Sequence, residues 1–250
     1  MARDRYLWNA GEETIHRENR QPPPSKKSKW ENFWYYHKAH VAIILIVALL
    51  AGEFIREMVL KREPDYEVAL LTQSGYSDRF LTALESELEK YGTDLNKDGR
   101  VLVQVNSYVI VTQKGVQVQD PNVQIASVAR FSVDLQNGHS MIYLTDDANF
   151  REIRKQGEAF TYVDGSLPAK NAKDDGNMRV PWEKCRLLAD FRPKPGEEAN
   201  AAEEARAVQS LKGLSISMRA IEGTPLAEKE GIREYYTASR RLFEKLIYGR

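Results

Sequence analysis

Residues 66–91 read YEVALLTQSGYSDRFLTALESELEKY. The first seven are apolar apart from Glu67 and Thr72 and hold no proline or glycine, the signature of a strand. Gln73, Ser74 and Gly75 then mark a turn, and Ser77 can cap a helix whose Phe80, Leu81, Leu84, Leu88 and Tyr91 recur at helical spacing. The order is strand, turn, helix. The same order repeats downstream. Residues 101–111, VLVQVNSYVIV, predict a second strand, and Asp120 caps a helix that takes Pro121 in its first turn and stops before Gly138. Its Ile125, Val128, Ala129 and Val133 are expected to form its core face. Residues 141–145, MIYLT, predict a third strand, followed by a helix from the cap Asp146 that carries Phe150 and Ile153 and stops at Gly157.

Strands that alternate with helices pair in parallel, with helices on both faces. The expectation is an extracytoplasmic α/β sandwich over 64–250 with a mostly parallel sheet. Beyond it the order weakens. A polar loop spans 164–181, Pro193 and Pro195 precede an alanine- and glutamate-rich helix near 197–210, and the chain closes with a strand at 214–220 and a helix bearing Ile232, Tyr235, Tyr236, Leu242, Phe243, Leu246 and Ile247.

Upstream, residues 41–52 read VAIILIVALLAG, twelve residues without a charge. Alone, that length suits a buried helix. The flanks extend it: Trp30, Phe33, Trp34, Tyr35 and Tyr36 are rings that favour the membrane interface, and the stem of Lys38 can snorkel. From 33 to 55 a helix covers roughly 34 Å at about 1.5 Å per residue, enough to cross the hydrocarbon with Glu53 at its far edge. Some forty residues precede the run, too many for a cleaved signal, so residues 39–60 are expected to be a transmembrane anchor and stem. Lys26, Lys27, Lys29 and Lys38 lie before it, and Arg56, Lys61 and Arg62 after it, a small positive-inside bias. Residues 1–38, with Pro22, Pro23 and Pro24, have little to bury and are expected to form a disordered cytoplasmic arm.

Thirty-six basic and thirty-six acidic residues balance, which argues against a phosphate-neutralising nucleic-acid surface. Cys185 is the single cysteine, so no intrachain disulfide forms. Catalytic patterns are absent: no phosphate-binding glycine loop, dinucleotide fingerprint, zinc spacing or serine elbow occurs. His139 beside Ser140 is not a dyad, because neighbours on a turn point apart, and Cys185 beside Trp182 and Leu187 suits a small buried hydrophobe. No enzyme is expected.

One loop carries metal chemistry. Asp94, Asn96 and Asp98 place oxygens at alternate positions, Gly99 permits a sharp turn, and Arg100 can offer its carbonyl, which is the first half of a calcium loop. Position twelve is Val105 rather than glutamate, so a full site needs a distant carboxylate. In a parallel sheet, ligands sit at the carboxyl ends of the strands. Candidate contacts there are Ser74, Tyr76 and Ser77 (with Gln73), Asn106 and Tyr108, and Asp146 (with Thr145 and Asp147).

The helix–calcium loop–strand order resembles the calcium site of some periplasmic sugar-binding proteins. KWENFWYYHK at 29–38, the strand at 66–72, DLNKDG at 94–99 and YYTASRRLFEKLI at 235–247 together resemble a group of uncharacterised single-pass membrane-anchored proteins from Gram-positive anaerobes. That resemblance implies localisation in the cell membrane, and the βα order resembles one lobe of solute-binding proteins. The expected function is a membrane-tethered extracytoplasmic binding or interaction module, its partner a small solute or an envelope protein. The alternatives are a scaffold of an envelope complex and a degenerate hydrolase.

Overall fold

The computed structural model of the chain describes residues 26–60, 63–112, 120–155, 159–169, 172, 174–193, 208–209 and 211–250. Residues 1–25 of the expected arm over 1–38, the stop at Gly157, Pro195 and most of the helix near 197–210 lie outside them. Two compact units divide the chain, Met1–Arg62 and Glu63–Arg250.

Among its described residues the first unit holds one helix, α1 (Lys26–Leu60). Within it Trp30–Ile55, 26 residues, is long and apolar enough to cross a membrane, and none of that window is buried by the chain itself. A helix that is apolar all round and unburied by protein needs another apolar surrounding. At its amino end Trp30 stacks on Phe33 at 5.9 Å and Phe33 lies 4.8 Å from His37, an aromatic ladder at i, i+3 and i+4 spacing.

The second unit is a mixed α/β fold. Its elements are β1 (Tyr66–Thr72), α2 (Asp78–Glu89), β2 (Val103–Val109), α3 (Pro121–Asn137), β3 (Ser140–Asp146), α4 (Asp147–Lys155), β4 (Arg179–Pro181), β5 (Leu214–Met218) and α5 (Ile232–Tyr248). The sheet order is β2-β1-β3-β5-β4. β1 pairs in parallel with β2 and with β3, while β5 runs antiparallel to both β3 and β4, so four of the five strands point one way.

Because β2 and β3 flank β1 on opposite sides, two crossovers of the same hand must place α2 and α3 on opposite faces. The side chains agree. Tyr66, Val68 and Leu70 of β1 pack with Phe80, Leu84 and Leu88 of α2 and Leu242, Phe243 and Leu246 of α5. Ala69 and Leu71, the alternate positions, pack with Phe131 of α3, Phe150 and Ile153 of α4, Tyr143 and Phe160. The caps expected from sequence are in place. Ser77 accepts from the Phe80 N–H, Asp120 accepts from Asn122 N–H, and Gly138 ends α3 in the left-handed region at φ 69°.

α3 corrects one expectation. It turns Ser127, Phe131 and Asp134 toward the sheet, while Val123, Ile125, Val128, Ala129 and Val133 are exposed. The polar pair is needed inside, because Ser127 Oγ accepts the Val109 N–H at the free edge of β2 and Asp134 anchors a buried cluster. The same edge is closed from the other face by Glu85 and Glu89 of α2, whose carboxylates accept the Val105 and Val103 N–H groups at 2.8 and 3.4 Å. Side chains thus take the Val103, Val105 and Val109 donors, most of those that an exposed edge strand would offer to another chain.

Candidate functional site

At the carboxyl ends of the strands, the expected contacts serve the fold. Asp146 accepts from the Gln73 N–H at 3.0 Å and from the Asn149 N–H at 2.8 Å, and Asn149 Nδ2 reaches both Asp146 and the Ile110 carbonyl. One carboxylate and one amide therefore tie the ends of β1, β2 and β3 together. Ser77 is spent as the α2 cap, the Ser74 carbonyl accepts from Thr72 Oγ1, and the Tyr76 ring stacks on Phe80 at 4.5 Å.

Asn106 and Tyr108 lie elsewhere. β2 directs both onto the α3 side of the sheet, where a groove of about 390 Å³ is lined by Glu67, Asn106, Tyr108, Ala129, Arg130, Val133, Asp134 and His139. Glu67 comes from β1, His139 from the turn before β3, and Arg130 from α3, so the topology rather than the chain order assembles the group. Its register has a specific cause. The β1–β3 pairing shifts between Glu67 and Val68, and the Tyr235 hydroxyl of α5 fills the gap, accepting the Glu67 N–H at 2.9 Å and donating to the His139 carbonyl at 2.7 Å.

Charge is ordered within the groove. Asn106 Nδ2 donates to Glu67 Oε2 at 2.7 Å, and His139 Nδ1 lies 3.7 Å from Glu67 Oε1. The Arg130 guanidinium lies over the Tyr108 ring, 5.6 Å from its centroid. Beneath, buried Asp134 accepts from Tyr108 OH, Ser140 N–H and Ser140 Oγ at 2.7, 2.8 and 2.7 Å. Burial first, then the bond to Asp134, raises the Tyr108 hydroxyl well above its ordinary range, so it stays a donor at any physiological pH. The floor is thus fixed by the Tyr108 hydroxyl on the Asp134 carboxyl group, and the walls carry Glu67, Arg130, Asn106, an imidazole and two apolar side chains. Such a set can hold a small polar solute by charge and hydrogen bonding.

Ser140 is buried with its hydroxyl on Asp134, while the His139 ring is half-exposed toward Glu67. Cys185 is fully buried, burial pushes its thiol up to about 12, and Sγ donates to the Pro181 carbonyl at 3.6 Å. At neutral pH it is therefore a thiol, not a thiolate.

In the 94–100 loop, Asp94 accepts from the Asp98 and Gly99 N–H groups, Asn96 from Asp98, and Asp98 from the Arg100 N–H. Lys97 and Gly99 adopt positive φ, 60° and 87°. Asp65, just before β1, was not singled out by the sequence, and it governs the loop. It is buried, and it accepts from Leu95, Asn96 and Leu102 N–H groups at 2.6, 3.1 and 2.8 Å. The distant carboxylate that calcium requires is close in Asp65, but its oxygens already hold three amides. Among the described residues no group of three or more His, Cys, Asp or Glu side chains is arranged to hold a metal.

Comparison with protein families, curated proteins and solved structures found no match to the chain.

Proposed function

We propose that the chain is a membrane-tethered extracytoplasmic binding module, non-catalytic, whose ligand sits in the groove between β2 and α3. The observation that carries the reading is the convergence of Glu67, Asn106, Arg130 and His139 from four elements on one groove of about 390 Å³. The apolar, unburied window Trp30–Ile55 supports the tether. The solute is small and polar, with an anionic group for Arg130 and a donor for Glu67.

Ligand binding to the native state must raise its melting midpoint, by about 2.7 kcal/mol of stability at a hundred times the dissociation constant. The test is a thermal-shift screen of the purified chain against amino acids, sugars, short peptides and divalent ions. One solute class should raise the midpoint in the wild type and lose that effect in Arg130→Ala and Glu67→Gln. A shift that survives both substitutions, or a screen with no stabilising solute, would count against the groove. Calcium is a separate proposal, resting on the alternate oxygens of Asp94, Asn96 and Asp98 and the Arg100 carbonyl, and it needs a carboxylate beyond those described. The calcium arm of the same screen, run against chelator, supports it by a rise of several degrees and removes it by none.

A further inference from the structure

We propose that α3 is the contact between two copies of this chain, packed antiparallel about a two-fold axis through Ala129. The helix is inverted relative to an ordinary surface helix. Ile125 is 68 % exposed, Val133 53 % and Val128 43 %, while the polar Ser127 and Asp134 face the sheet. Asn122, Ile125, Ala129, Ser132, Val133 and Gln136 fall on one stripe at i, i+3 and i+4 spacing, all exposed and none charged.

That stripe is complementary to itself. In an antiparallel pair centred on Ala129, Ile125 of one copy lies opposite Val133 of the other, and Asn122 lies opposite Gln136, with the small Ala129 at the crossing where the two backbones approach. The ends are complementary in charge as well. Asp120 caps the amino end of α3, while at the carboxyl end Lys229 Nζ lies 2.8 Å from the Asn137 carbonyl and the half-exposed His139 follows. Antiparallel packing brings each acidic end against a basic one and opposes the helix dipoles favourably. A contact in which the same patch meets itself is what two-fold symmetry requires. The edge of β2, with its Val105, Val103 and Val109 donors taken by Glu85, Glu89 and Ser127, is left out of the contact. Ala129 and Val133 also form the rim of the groove, so the second copy narrows its mouth. The dimer itself does not depend on a ligand being there.

Ala129→Cys in the full chain tests the axis, because buried Cys185 leaves the new thiol as the accessible one. In membranes treated with copper–phenanthroline, which oxidises two thiols to a disulfide, Ala129→Cys should give a covalent dimer at least tenfold more abundant than Thr82→Cys on α2, across the sheet. By light scattering in detergent, the wild type should have the mass of two chains and Ile125→Asp that of one, with an unchanged circular dichroism spectrum. Lys229→Glu, which keeps the stripe, should weaken the dimer about tenfold. A monomeric wild type, equal cross-linking at both positions, or a dimer that persists in Ile125→Asp would overturn the proposal, the last by placing the contact elsewhere, as in α1.

Discussion

Asp134 joins three elements through one buried carboxylate: it lies on α3 and accepts from Tyr108 of β2 and from both polar groups of Ser140 at the start of β3. Removing it would leave two hydroxyls and an amide without that partner in a region closed to water, at about 3–5 kcal/mol. Asp134→Ala is therefore expected to lower the urea-unfolding free energy by that amount, with Asp134→Asn less damaging because its carbonyl still accepts. A loss under about 1 kcal/mol for the alanine variant would mean that the cluster does not organise the groove floor. Arg219 belongs to the same neighbourhood. Buried, it donates to Tyr143 OH at 2.7 Å and to the Leu135 carbonyl, which fixes the end of α3 to the sheet.

Edges and helices show what the linear pattern contains. β1, the caps Ser77 and Asp120, and the stop at Gly138 depend on neighbours within a few residues, and there the sequence and the structure agree. The face of α3 does not depend on neighbours alone. Apolar periodicity locates a stripe at Ile125, Val128, Ala129 and Val133 but carries no sign saying whether core or another surface covers it. What turned the helix was the need of β2 for Ser127 and of the sheet for Asp134, both long-range. The reversed β5 was illegible for a similar reason, since a strand that follows a long insertion can pair in either direction. Glu67 and Asp65 carry no signal in the sequence, because a single acid in or before an apolar strand has no pattern; their roles exist only once β1 is placed against β2, β3 and the 94–100 loop.

The closed edge of β2 has a pH signature. Burial raises the Glu85 carboxyl above its ordinary value, the Val105 N–H opposes that, and the charge of Glu89 adds to it. The folded state thus holds this proton more tightly than the unfolded chain. Its contribution to stability is full below the unfolded value of about 4.3 and is lost as the pH rises through the folded value. Glu85→Gln keeps a carbonyl for Val105 and removes the buried charge. Stability measured by denaturant between pH 4 and 7 should show a less negative slope in Glu85→Gln than in wild type, with equal or greater stability at pH 7. An unchanged slope would mean that Glu85 titrates as an open surface acid.

At the scale of the whole molecule, the chain divides into two compact units, Met1–Arg62 and Glu63–Arg250. An apolar helix that the chain does not bury and a unit with two cores of its own are what the proposed tether and binding module rest on. If the proposed tether holds, a bilayer confines copies to a plane and raises their local concentration, so the proposed α3 contact should be more populated there than in dilute solution. Which side of the membrane holds the second unit decides between this account and a cytoplasmic one. Thr82 is exposed on α2, and Cys185 is buried and gives no background to a thiol reagent. Intact cells carrying the Thr82→Cys chain should react with a membrane-impermeant maleimide as fully as lysed cells do. Labelling that appears only after lysis would contradict the extracytoplasmic module.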